Sequence, residues 1–298
     1  MRAAGLATRA GHTDTLGASP GEFYEAITAA MGFIPLRHEG KVLGLAAHGD
    51  ARKLYGDFHR ALRASPGRDH PGNSFDSEFV GRDDAYSARE AYLKALVRAH
   101  PREDVAAAAQ AVFEDAIVEV ARDLLARSGQ RRLAVNGGVF ANVKLNQRLA
   151  ALPELDRLFV FPAMSDTGNS VGAALLSLLG LDEQGQAETL RTAYWGSEWD
   201  EAACAKALTA AGFALERLEE DALVSRAADA IHAGQVVGWF QGRMEFGPRA
   251  LGARSILGDA RAPGMQTTMN VQRRTHIPLS PMRATVARNA ARHKQHEQ

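Results

Sequence analysis

From Gly21 the chain takes on a helical rhythm: Phe23, Ile27 and Met31 fall on one face, and Gly32 stands where such a helix closes. The twenty residues before it, rich in Gly, Ala and Thr, show no clear period. Beyond it, the run His38-Glu39-Gly40-Lys41-Val42-Leu43-Gly44-Leu45-Ala46-Ala47-His48-Gly49 is punctuated by glycine and reads as a loop. Residues 64–85 also read as loop, with Pro66, Gly67, Pro71, Gly72 and several aspartates.

The longest periodic segment runs from Arg102 to Ser128. Val105, Ala109, Val112, Ala116, Val120 and Leu124 recur at helical spacing, and Gly129 occupies the C-cap position. A short apolar strand, Arg132 to Val135, runs into Gly137-Gly138 and a second helix over 142–151. A further strand over 157–161 ends at Pro162, and a small-residue helix follows Thr167. Strands alternating with helices predict an α/β domain. Residues 182–193 read as a linker, with a domain boundary near Leu190. Past it, 199–211 and 221–233 read as helices and 236–240 as a strand. The predicted layout is thus a domain over 1–190, a second over 191–282, and a tail over 283–298.

Composition narrows the class. With 298 residues, 46% hydrophobic and 23% charged, the chain can form one large domain or two ordinary ones. Thirty-five basic residues balance thirty-five acidic ones, leaving no global field directed at nucleic acid or an acidic membrane surface. Only the last sixteen or so residues are locally basic; lacking interleaved aromatics, they read as a solvated tail. Cys204 is the one cysteine, which excludes an intrachain disulfide and a Cys-rich zinc site. No apolar run reaches the length of a membrane span and no secretory h-region is present. The expected protein is soluble and cytoplasmic, with neither a nucleic-acid nor a membrane partner.

Three stretches carry candidate chemistry. In Asn136-Gly137-Gly138-Val139-Phe140-Ala141-Asn142, glycines between strand and helix let the backbone approach a ligand, and the following helix N-terminus offers N–H groups to a phosphate or adenosine. A merely tight connection would read the same way. In Phe161-Pro162-Ala163-Met164-Ser165-Asp166-Thr167-Gly168, Asp166 occupies a position that suits a metal- or nucleotide-binding carboxylate and equally a helix N-cap. In the stretch from Gln241 to Ser255, Arg243, Arg249 and Arg254 alternate with Gly242, Gly247 and Gly252. Guanidinium forks suit phosphate or carboxylate oxygens, and a solvated ion-pair loop has little use for the glycines, so anion binding is the favoured reading. Glu245 either holds an arginine in place or binds magnesium or ribose. Lys41, between Gly40 and Gly44, could reach a phosphate. His38, Glu39 and His48 match no standard zinc spacing and read as loop polarity.

Together these stretches resemble the NodU/CmcH carbamoyltransferase family. GEFYEAITAAMGFIPLRHEGKVLGLAAHG is similar to a family segment ending in K-V-M-G-L-A-x-Y-G. LAVNGGVFANVKLNQRL and VFPAMSDTGNSVGAAL are similar to its glycine turn and D-x-G loop, and GRMEFGPRALGARSIL resembles the hallmark of its C-terminal domain. The resemblance implies the C-terminal half of an actin/hsp70-like (ASKHA) domain followed by a partial YrdC-like α/β domain. It implies formation of carbamoyl-adenylate from carbamoyl phosphate and ATP with Mg2+, then transfer of the carbamoyl group to the hydroxyl of a small acceptor at a metal, iron in characterised relatives. Carried over, Asp166 matches the metal-ligating aspartate, and Gly137, Gly138 and Asn142 match the nucleotide turn, with Lys41 and Ser255 also on the nucleotide side. Arg243, Glu245, Arg249 and Arg254 would line the adenylate-forming site.

Two departures shape the expectation. Family members begin with a half-domain carrying H-D-x-x-A and H-x-x-x-H, and neither pattern occurs in this sequence. RRTHIPLSP also differs from the family's K-x-R-E-x-F-R-P-F-A-P segment. The reading therefore expects an incomplete transfer site, weak activity of the isolated chain, and a separately encoded N-terminal half as partner. A nucleotide-binding remnant without catalysis is the alternative. A tRNA threonylcarbamoyl transferase is disfavoured, since those proteins lack GRMEFGPRALG and no basic patch for tRNA is present.

Overall fold

The computed structural model describes residues 18–66, 74–181, 191–265, 268–269 and 284–286. The chain divides into two compact units, Met1–Gly168 and Asn169–Gln298. The expected boundary near Leu190 lies outside the described residues, as do most of the linker and, apart from 284–286, the basic tail.

The first unit is assembled on one helix. Its N-terminal part contains α1 (Pro20–Ala30), α2 (Glu39–Ala46), a 3-10 turn (Ala51–Lys53), α3 (Tyr55–Ala61) and the short antiparallel pair β1 (Arg63–Ala64) and β2 (Phe75–Asp76). Then come α4 (Ala85–Ala99) and α5 (Arg102–Ser128), whose 27 residues span about 40 Å. Acidic Glu103 and Asp104 lie in the first turn of α5, where the helix dipole favours them. At its other end Gly129 adopts φ 63° and its N–H bonds Leu125 O at 2.9 Å, so the predicted C-cap is the observed one.

Helices α1, α2, α3, α4 and α6 (Val143–Ala150) all pack against α5. The alanines at 106–109 keep its surface shallow enough for close approach, while Val105, Val112 and Phe113 interlock with Phe23, Ile27, Val42, Phe58 and Leu145. Burying each of these larger side chains contributes about 1.5–3 kcal/mol. Phe113 also meets the Tyr24 ring edge-on, with centroids 4.9 Å apart.

The segment predicted as a loop over 38–49 is largely α2. Gly40 and Gly44 have open space around their Cα atoms, and Val42, fully buried, anchors the helix on α5. Tertiary packing there outweighs the poor helix propensity of glycine. Gly49 is different: a Cβ at that position would overlap the backbone of Glu103. Within the predicted loop over 64–85, the described residues form β2 and the turns leading to α4, while 67–73 lie outside the described residues.

Strands β3 (Arg132–Val135) and β4 (Arg157–Val160) pair in parallel, Arg132 opposite Arg157 and Val135 opposite Val160. They are joined through the 3-10 turn Gly138–Ala141 and α6, as expected for a parallel connection. Helix α7 (Thr167–Leu181) follows.

The second unit contains α8 (Glu201–Ala210), β5 (Leu215–Arg217), α9 (Glu220–His232), β6 (Val237–Phe240), β7 (Arg254–Leu257) and β8 (Ala284–Val286). Asp200 caps α8 by accepting the Ala203 N–H at 2.7 Å. β6 and β7 are antiparallel, with Phe240 opposite Arg254 and Val237 opposite Leu257. β5 and β8 are parallel, which puts a strand at the start of the segment expected to be a tail. No helix among the described residues is long and apolar enough to cross a membrane.

Candidate functional site

The arginine-glycine stretch is the connection between β6 and β7. The ladder ends where Gln241 N–H bonds Ala253 O at 2.8 Å, and the loop from Gly242 to Gly252 projects beyond it. Three glycines there have positive φ, 59° at Gly242, 141° at Gly247 and 109° at Gly252, so the loop path requires residues without a Cβ. One limb is held by Ala193 O and Ser197 O, which accept from Phe246 N–H at 2.7 Å and Met244 N–H at 3.1 Å.

The other limb is held from inside by Glu245. Its side chain is 1% exposed, and Oε1 accepts the N–H groups of Leu251 at 2.5 Å and Ala253 at 2.7 Å. Burial pushes the carboxyl upward, but backbone N–H donors at Glu245, Ala253, Leu251 and Arg254 outweigh it and keep the group below the usual carboxylate range. Oε2 lies 3.6 Å from Arg254 Nε and has no hydrogen-bond partner, while Arg254 Nη2 donates to Gly247 O at 2.6 Å. Glu245 thus acts on the loop's shape and on Arg254. Arg243 and Arg249 are exposed; Arg243 Nη2 is 3.6 Å from the Glu198 carboxylate. Ser255 stands on β7 opposite Trp239, half-buried. The result is a glycine-bent loop, tied by backbone and Glu245 hydrogen bonds, that carries three guanidinium groups.

The glycine turn is built in the first unit. Gly137 takes φ 114°, Phe140 N–H returns to Gly137 O at 3.0 Å, and Asn142 N–H returns to Val139 O at 3.1 Å. Asn142 caps α6, its Oδ1 accepting Leu145 N–H at 3.1 Å. Its side chain also meets Gln110 of α5, a residue that the sequence reading passed over. The signal available for it was Gln110 with Glu114, two polar residues one helical turn apart among the apolar positions of 105–113 and 116–118.

Asp166 is exposed, immediately before α7. The loop around it is tight, because a Cβ on Gly168 would stand 2.5 Å from Ala163 O and 3.0 Å from the Phe161 ring. No group of three or more His, Cys, Asp or Glu side chains among the described residues is placed to hold a metal ion. The described residues therefore do not make up a metal centre by themselves. Lys41, on α2, holds its Nζ 5.4 Å from the centre of the Phe33 ring, which the Arg102 guanidinium also approaches, at 5.0 Å.

The sequence profile described as Carbamoyltransferase N-terminus matches residues 8–175, and Carbamoyltransferase C-terminus matches residues 228–298. The chain belongs to the carbamoyltransferase family. Within that family it is 34% identical to nodulation protein NolNO of Sinorhizobium fredii, over 82% of this chain and 36% of the relative. It is likewise 34% identical to nodulation protein NolO of Bradyrhizobium diazoefficiens, over 82% of this chain and 44% of the relative. The 3'-hydroxymethylcephem-O-carbamoyltransferase of Streptomyces clavuligerus is 28% identical over 83% of this chain and 44% of its own length. The chain thus spans less than half the length of these carbamoyltransferase relatives. The arginine loop lies inside the C-terminal match, and the glycine turn and Asp166 inside the N-terminal one.

Proposed function

We propose that this chain serves O-carbamoyl transfer to a small hydroxylated acceptor, by way of carbamoyl-adenylate. Family membership supports the reaction class, and the name of the cephem O-carbamoyltransferase relative supports a hydroxyl acceptor. The observation that carries the adenylate step is the loop of Arg243, Arg249 and Arg254 braced by buried Glu245. In this reading the first unit is half of an actin/hsp70-like domain and the second is YrdC-like.

In the first step carbamoyl phosphate, ATP and one water yield carbamoyl-adenylate, pyrophosphate and inorganic phosphate. Negative charge gathers on phosphate oxygens, and Arg243, Arg249 and Arg254 offset it by charge-assisted hydrogen bonds. Preset guanidinium groups need no reorganisation as that charge develops, which is the role of the Glu245 brace. In the second step the acceptor oxygen bonds to the carbamoyl carbon, AMP leaves, and the hydroxyl proton is given up to a base. In the first unit the glycine turn with Gly137, Gly138 and Asn142 serves nucleotide binding, as does Lys41; in the second unit Ser255 serves it on the side of the arginine loop. Mg2+ enters with ATP. Fe2+ at the transfer site is part of the same proposal, with Asp166 as this chain's contributor.

The test is to incubate the full chain with ATP, Mg2+ and carbamoyl phosphate and seek carbamoyl-adenylate by mass spectrometry, with and without a co-expressed N-terminal half from a relative. Formation of the adduct, lost in Arg249→Ala, is the expected result. ATP left unconsumed under both conditions would overturn the adenylate step.

A further inference from the structure

The polar residues beneath the glycine turn form one closed circuit. Tyr24 Oη, on α1, donates to Gln110 Oε1 at 2.6 Å. Gln110 Nε2 donates to Glu114 Oε1 at 2.6 Å, one turn further along α5. Between those anchors the Gln110 amide pairs with the Asn142 amide on both edges: Asn142 Nδ2 donates to Gln110 Oε1 at 2.9 Å, and Gln110 Nε2 donates to Asn142 Oδ1 at 3.1 Å. Asn142 Oδ1 also accepts Leu145 N–H, and Arg148 of the same helix α6 returns to Glu114 Oε2 at 3.1 Å.

The circuit has only one sense. Burial, with Glu114 nearby, pushes the Tyr24 hydroxyl above its usual range, so it stays protonated and donates. The carboxylate of Glu114 can only accept. A donor at one end and an acceptor at the other fix which way the Gln110 amide faces, and that fixes the Asn142 amide in turn. Tyr24, Gln110 and Glu114 are all buried, so a flipped amide would leave polar atoms unpaired in a low-dielectric setting.

From this geometry we infer that Gln110 is a positioning residue for the glycine turn, acting through Asn142. The Asn142 side chain is committed to Gln110 and to the α6 cap. It serves the turn by setting the path of residues 137–142, which leaves the backbone to meet the ligand. The ligand part of this inference rests on the nucleotide reading given above; the positioning part does not.

Amide hydrogen exchange on the full chain separates the two. In Gln110→Ala, exchange across 137–146 should rise on the order of tenfold while α2 is unchanged, because only local opening is made easier. Tyr24→Phe, which keeps the ring on Phe113 but removes the donor, should give a smaller rise in the same segment. ATP–Mg2+ affinity should weaken in the same order, wild type above Tyr24→Phe above Gln110→Ala. Unchanged exchange across 137–146 in both folded variants would overturn the positioning role. A wild type that binds no ATP, with the turn still loosened in the variants, upholds the role of Gln110 and removes the nucleotide reading instead.

Discussion

The buried carboxylate of Glu245 lies 3.6 Å from the Arg254 guanidinium, yet its two short hydrogen bonds go to the backbone, at Leu251 and Ala253. One side chain thereby ties a loop of eleven residues to itself and faces an arginine that the loop must present. Glu245→Ala should destabilise the second unit by about 2–4 kcal/mol, since two N–H groups lose a charged acceptor. Thermal melting of the purified variant checks it.

The same carboxylate gives a pH signature. Its folded pKa is held below the ordinary carboxylate value, so folding binds fewer protons there and stability is gained at higher pH. The contribution is complete above the unfolded value of about 4.3 and is lost as pH falls through the lower folded pKa. The stability gap between wild type and Glu245→Gln should therefore be widest above pH ~5 and close in stronger acid. Urea midpoints across that range measure it.

Two glycines of one segment should respond in opposite directions. Gly49→Ala drives a Cβ into the backbone of Glu103 at the start of α5 and should destabilise by about 2 kcal/mol or more. Gly44→Ala has open space inside α2 and should stabilise by about 0.5–1 kcal/mol. Denaturant unfolding of both proteins reads the contrast.

Arg89 is wholly buried between α4 and α1, with Nε and Nη1 lacking hydrogen-bond partners and Nη2 3.4 Å from Glu22. Burial lowers its pKa despite Glu22, a sign that desolvation outweighs the pair. Arg89→Met keeps the stem and removes the unpaired donors. Its stability should equal or exceed wild type by about 1 kcal/mol, again by denaturant midpoint.

Within the arginine loop, stability and binding should separate. Arg243 is exposed and its Glu198 partner more so, hence Arg243→Ala should change stability by less than about 0.5 kcal/mol while weakening nucleotide binding. Arg254→Ala loses the bond to Gly247 O and the charge facing Glu245, so it should lower both. Melting curves and ATP titrations on the two variants distinguish these outcomes.

Helix α5 was readable to the residue because its apolar period, its first-turn acids and Gly129 agree on the same bounds. Strand β3 was equally plain. Helix α2 was not, since glycine at 40 and 44 reads locally as punctuation, while the burial of Val42 against α5 is a tertiary fact. Helices α3 and α4 drew no prediction. The arginine loop was legible as a composition. What Glu245 does there was left open, because its partners stand six and eight residues on and are backbone atoms. Gln110 could not be linked to the glycine turn, for Asn142 is 32 residues away and a single sequence carries no sign of that pairing.

Calorimetric titration of the full chain with ATP and Mg2+, with Arg249→Ala alongside, addresses the nucleotide site directly. Saturable binding with a component that is lost in the variant is the predicted result, and that component would make the arginine loop a phosphate site. A well-folded wild type that takes up no ATP would contradict the adenylate reading of this loop.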